Sequence, residues 1–200
     1  MLANRIALAA LLLAAAIPSL AARKTPTAPG TYKNWGPDID EIEIVKTLRL
    51  ADYSRVVIEP LDISGAAPVE EADMAERVAK ALAEATEPFV IGLEEGLKAK
   101  TSLQLVSEAS ERTLIVRGKV TKLEPGSRAK RMFVGFGAGA ACAGVSGEIV
   151  DAATGKVLLR FTQERRSGID RFGRGSSYEE IMKRSLRAIG ADVANLLKEF

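Results

Sequence analysis

Apolar and polar residues alternate with period two over three long stretches in the C-terminal half of the chain. In residues 113–123, Leu114, Val116, Gly118 and Val120 fall on one side and Ile115, Arg117, Lys119 and Thr121 on the other, the pattern of a strand in a half-exposed sheet. Residues 140–150 repeat it with Ala143, Val145, Gly147 and Ile149, and residues 157–166 with Val157, Leu159 and Phe161. Pro125-Gly126 marks a turn after the first stretch, and residues 151–156 (DAATGK) a hairpin turn before the third. Upstream, residues 55–63 (RVVIEPLDI) are rich in β-branched side chains and predict a strand. Pro60 lacks a ladder donor and belongs at an edge or a bend. Residues 103–106 predict a brief strand. Residues 39–50, where Ile42 and Ile44 alternate with glutamates, fit a short edge strand or an extended lead-in.

Elsewhere the period changes to that of a helix. Met74, Val78 and Leu82 recur at four-residue steps after Pro68, Glu70, Glu71 and Asp73, a helix start with negative charge at the positive end of the dipole. Pro88 predicts a kink or break, and Phe89, Leu93 and Leu97 resume the pattern to about Lys98. Gly92 and Gly96 predict a close approach to the sheet. A last helix follows a capping box within residues 176–180 (SSYEE), in either of two registers. Its stripe is Ile181, Ser185, Ala188 with Ile189, Val193 and Leu196 with Leu197. The element order is thus β-α-β-β-β-β-α. A helix between the first two strands implies a right-handed crossover and parallel pairing. The expected fold is α+β, a two-layer sandwich with a mixed four- to five-stranded sheet and two main helices on one face, spanning residues 49–200.

The front of the chain has a different character. Arg5, an unbroken apolar run over residues 6–16, Pro18 and Ser19-Leu20-Ala21 compose a secretory signal over residues 1–22. The run is shorter than the ~20 residues that span a bilayer. Residues 20–23 (LAAR) have the form of a lipoprotein box with arginine where the acylated cysteine would stand, so the expected destination is the periplasm or beyond, without a lipid tether. Residues 23–48 read as an extended linker, with three prolines and two glycines in residues 23–37. Trp35 is expected to fold back onto the domain edge rather than to anchor a partner.

Composition narrows the chemistry. With 47% hydrophobic and 27% charged residues the chain is globular. It has no histidine, which removes Ser-His-Asp and Cys-His catalysis, and a single cysteine, which removes an internal disulfide and any CxxC site. The net charge of +2 conceals an asymmetry. Residues 36–125 hold 18 acidic and 11 basic residues, a net of −7, and residues 126–175 hold 9 basic and 4 acidic, a net of +5.

The positive half centres on residues 126–151 (GSRAKRMFVGFGAGAACAGVSGEIVD), where three cations precede two phenylalanines set among glycines. Neither Gly-Lys pair, at residues 118–119 and 155–156, is followed by Ser or Thr, so no phosphate loop is present. Gly135, Gly137 and Ala140 imitate a dinucleotide fingerprint, but a strand is predicted next, with no helix N-terminus to receive a pyrophosphate. Glu148 and Asp151 point to opposite faces of a strand and make no glycosidase pair. Cys142, among alanines and glycines, reads as a small buried thiol. No catalytic, cofactor-binding or metal-binding residue is assigned, and the chain reads as no enzyme.

Residues 125–158 (PGSRAKRMFVGFGAGAACAGVSGEIVDAATGKVL) resemble the exported bacterial family known as domain of unknown function 4410, in the arginine-then-phenylalanine-glycine run and the D-x-x-T-G hairpin. The likeness extends from about Leu50 to Leu197. Many members look like lipoproteins, from which Arg23 departs, and the family implies no activity or functional residue. The expected role is that of a non-enzymatic exported protein that binds an envelope partner through Arg128, Lys130, Arg131, Phe133, Phe136, Arg165 and Arg166. The partner classes are an envelope protein, a lipid headgroup or lipopolysaccharide, with no role for nucleic acid. A self-assembling or membrane-inserting module built on the basic Gly/Phe-rich hairpin, through residues 133–141, stays open.

Overall fold

The alternating stretches become the middle of one seven-stranded sheet. The computed structural model describes residues 25–36, 38–66, 72–124, 141–166 and 177–200. Its elements are β1 (Gly30–Trp35), β2 (Ile39–Ile44), β3 (Arg55–Ile58), α1 (Ala72–Ala83), α2 (Thr86–Lys100), β4 (Gln104–Leu105), β5 (Thr113–Glu124), β6 (Cys142–Asp151), β7 (Lys156–Arg166) and α3 (Tyr178–Lys198). The strand order is β1-β2-β7-β6-β5-β3-β4. β3 runs parallel to β4 and β5, and every other pairing is antiparallel. The fold is α+β as expected, but among the described residues the sheet has seven strands rather than four or five, and there are three helices rather than two main ones.

Most of the difference lies in residues 23–48. Instead of an extended linker, residues 30–44 form a hairpin that continues the sheet past β7. Gly30 (φ +149°) and Gly36 (φ +59°) take backbone conformations that side chains disfavour, which is why glycines and prolines there do not mean linker. The isoleucines of β2 are buried and its glutamates face out, so the ambiguous lead-in is a strand with one covered face. Trp35 does fold back: it is 2% exposed, stacks on Phe200 at 5.6 Å between centroids, and its indole N–H donates to the Pro26 carbonyl at 2.7 Å.

Other boundaries follow local chemistry. β3 ends at Ile58, the Glu59 N–H still donates to the Val116 carbonyl of β5, and beyond Pro60 backbone pairing resumes at Asp62, which bridges Lys119. The helical break falls at residues 84–85, placing Pro88 in the first turn of α2, where its missing N–H costs no helix bond. Ser177 caps α3, accepting from the Glu180 N–H while the Glu180 carboxylate accepts from the Ser177 N–H; of the two capping registers this is the one used. Asp151 turns the β6–β7 hairpin by accepting the Ala153 and Thr154 N–H groups, and Gly155 (φ +66°) occupies the left-handed position. The predicted helix start at Pro68, Glu70 and Glu71 and the loop 167–175 lie outside the described residues, as does the signal segment 1–22.

The helices cover one face of the sheet. Ile42, Leu114, Val116, Val120, Val145, Ile149 and Leu159 rise from it to meet Leu93, Leu97, Met182, Leu186, Ile189 and Leu197. Gly92 and Gly96 serve a different neighbour from the one expected. They approach α3, not the sheet. A Cβ on Gly92 would stand 1.9 Å from the Arg187 carbonyl oxygen, one on Gly96 2.5 Å from the Ala194 Cβ, and one on Gly190 2.2 Å from the Phe89 carbonyl oxygen. The two helices thus touch backbone to backbone, closer than ordinary side-chain packing permits.

Gly190→Ala should therefore destabilise, although alanine is the better helix former by about 1 kcal/mol. We expect a net cost of about 1–3 kcal/mol, read in a thermal melt as a Tm lower by roughly 5–10 °C. An unchanged or raised Tm would show that the helices do not meet at this distance.

Candidate functional site

Three strand ends stand side by side at one end of the sheet. Glu124 of β5 pairs with Cys142 of β6, and Cys142 pairs with Arg166 of β7. The two stretches 125–140 and 167–176 therefore join the body at the same place. Of the candidate residues, Arg128, Lys130, Arg131, Phe133 and Phe136 lie outside the described residues, and Arg165 and Arg166 lie within them.

Those two arginines face opposite ways. Arg166 extends on the uncovered face, its side chain 70% exposed and 3.9 Å from Glu164. Arg165 turns under the sheet toward α3. It forms a two-pronged bond with the nearly inaccessible Asp192 carboxylate, its Nε donating at 2.7 Å, and reaches Asp38 at 3.4 Å. Gln163 donates to the same Asp192 at 2.9 Å, Asn195 donates to Asp38 at 3.0 Å, and Glu164 N–H donates to Asp40 at 2.7 Å. Burial pushes the Asp192 carboxyl up, while Arg165 and Gln163 pull it back. This cluster clips the start of β2 to β7 and α3. Truncating one partner of such a pair strands a buried charge, which makes it a structural lock.

Around Cys142 the remaining polar groups balance. Lys122 lies 3.5 Å from Glu124 and 3.7 Å from Glu164. The thiol, 2% exposed, lies 3.6 Å from a Glu164 oxygen. Burial first, and the Glu164 charge second, push its pKa up to about 11.

A second feature was not foreseen from the sequence. The uncovered face of the sheet holds a trough of about 580 Å³ running across the strands. Its first row reads Glu43, Arg160, Glu148, Arg117 by strand register, with Glu59 beyond, where the Glu59 N–H donates to the Val116 carbonyl. The charges alternate. Arg160 donates to Glu43 at 2.8 Å and to Glu148 at 3.0 Å, and Arg117 donates to Glu148 at 2.8 and 3.1 Å. Those guanidinium bonds, Arg117 foremost, hold the Glu148 carboxyl below the usual range. The second row is Glu41, Thr162, Ser146 and Lys119, with Asp62 at the end. Opposite charges facing each other on successive strands were the available signal, but it requires Glu41 and Glu43 to be in the sheet. Among the described residues no three carboxylate or thiol groups gather to hold a metal, and no helix is long and apolar enough to cross a membrane.

The sequence profile of the domain of unknown function DUF4410 matches residues 52–169, and the chain belongs to that family. No protein with a curated function matches it. Among solved structures, similarity extends to a PelC dodecamer from Paraburkholderia phytofirmans (15% identity, 80% of this chain and 95% of that one, TM-score 0.42). It extends also to a DUF330 protein from Xanthomonas campestris (11%, 72% and 83%, TM-score 0.43) and to the lipoprotein GNA1162 from Neisseria meningitidis (10%, 71% and 99%, TM-score 0.36).

The environment of Cys142 predicts its reactivity. With the thiolate suppressed and the sulfur covered, iodoacetamide at pH 8 should leave the folded protein unmodified for hours and label it at once in denaturant. Rapid stoichiometric labelling of the folded protein would contradict the burial described here.

Proposed function

We propose that this member of the DUF4410 family is an exported, non-enzymatic protein, periplasmic or secreted, that binds an anionic component of the cell envelope through the stretch between β5 and β6. The observation that supports this reading is the alignment of Glu124, Cys142 and Arg166 at one end of the sheet. It ties two cation-bearing stretches to one place: residues 125–140 bring Arg128, Lys130 and Arg131 without an acidic residue, and residues 167–176 bring Arg171 and Arg174 against Asp170. At their base Lys122 and Arg166 are already answered by Glu124 and Glu164. The cations beyond are therefore in excess of the local carboxylates. Phosphates of lipid headgroups or lipopolysaccharide and acidic protein surfaces share the chemistry that such guanidinium groups recognise. Phe133 and Phe136 beside them add apolar contact area. Arg165 is left out of the contact set, because Asp192 and Asp38 already hold it. Arg166 stays in it.

Replacing Arg128, Lys130 and Arg131 with glutamate should abolish co-sedimentation with envelope fractions and leave the Tm unchanged. On vesicles rich in anionic lipid each lost cation weakens binding by about 1 kcal/mol, so the triple change should cost roughly 100-fold or more in partitioning. Undiminished partitioning of the triple variant would overturn the reading. Recovery of the native protein in the cytoplasm with residues 1–22 attached would overturn the export it assumes.

A further inference from the structure

The trough on the uncovered face is built from charges that do not cancel. Five carboxylates and three cations line it, a net of −2. Two of the cations, Arg117 and Arg160, are saturated by Glu43 and Glu148. The surplus sits at the two ends. At one end the partner of Glu41 among the described residues is the exposed Lys33 at 3.8 Å. At the other, Glu59 stands beside Arg117, and Asp62 accepts the Ser64 N–H. Ser146, Thr162 and Lys119 line the hollow between the two ends. All three helices pack on the opposite face, so nothing in the chain's own described fold covers this hollow.

The same chain carries a segment of opposite character. Residues 126–131 hold three cations and no carboxylate. We infer that the trough receives the Arg128, Lys130 and Arg131 run of a second copy of this chain. The inference rests on the proposed role of that run as the binding element and adds a receptor for it. Direction favours a neighbour. β5 carries the chain from the trough rows at Arg117 and Lys119 to the sheet end at Glu124, roughly 17–23 Å at the rise of a strand. Glu124, the last described residue before that run, thus stands at the sheet end and not at the trough. A donor at one end and an acceptor on a face make a head-to-tail contact, which closes into a ring or continues as a filament and does not stop at a two-fold dimer. The screened, partly exposed charges make it dependent on salt, since the Debye length falls from about 10 Å at 0.1 M to about 3 Å at 1 M.

Two full-length variants test this by sedimentation velocity. In one, Arg128, Lys130 and Arg131 become glutamate; in the other, Glu41→Lys and Glu59→Lys reverse the trough and leave the Arg–Glu ladder intact. Wild type should self-associate at low salt and dissociate at high salt. Each variant alone should associate roughly tenfold more weakly or not at all, with unchanged circular dichroism. An equimolar mixture should associate again, because each reversed segment then meets an oppositely charged trough. The rescue is specific to contact between copies. If the wild type stays monomeric at low salt, if the trough variant assembles like wild type, or if the mixture fails to re-associate, the inference is overturned. The trough variant keeps residues 125–140 unchanged, so its envelope binding still judges the proposed function separately.

Discussion

The architecture depends on how closely α2 and α3 approach each other. Gly92 and Gly190 remove the side chains that would hold the two helices at the usual 8–10 Å, and Gly96 with Ala194 extends the seam by one turn. Because α3 lies against β2, β6 and β7 as well as α2, its position sets where the whole helical layer sits. Phe89, Leu93 and Leu97 on one side and Met182, Leu186 and Ile189 on the other are buried as a result, each contributing about 1.5–3 kcal/mol of transfer free energy. A bulkier residue at the seam would push α2 outward and reopen that core to water.

The central sheet was legible because its strands each obey one rule. Residues 113–123, 140–150 and 157–166 alternate, the turn between the last two carries glycine where the backbone is left-handed, and the structure follows. Helix positions were also legible, including the break near Pro88. What escaped was the N-terminal hairpin, since Pro26, Pro29, Gly30 and Gly36 are also the residues of a linker. Only long-range partners decide between the two readings: Phe200 for Trp35, Gln163 for the Asp40 N–H, and the β7 backbone for β2. The neighbour of Gly92 was missed for a related reason. Four-residue glycine spacing reveals a close approach but not which element makes it.

The trough shows the same limitation from the functional side. Its five-residue charge row draws on β2, β7, β6, β5 and the chain after β3, so no window of sequence contains it. Charge totals pointed to a dipolar molecule, and the structure refines that picture. Arg160 and Arg165, both counted with the positive half, are spent on Glu43, Glu148, Asp38 and Asp192 within the body. The cations attached beyond the sheet end therefore weigh more than their share of the total suggests.

The hairpin of β1 and β2 does more than enlarge the sheet. It pairs with residues 159–162, the middle of the outer side of β7, an eleven-residue strand whose backbone there would otherwise be a free border. A cut between Ile44 and Leu50 that let the hairpin dissociate would bare that border while leaving the family-matched residues 52–169 in one piece. Long bare strands recruit other strands, so a nicked chain would be prone to clump into fibrous or amorphous deposits even with its helical core intact.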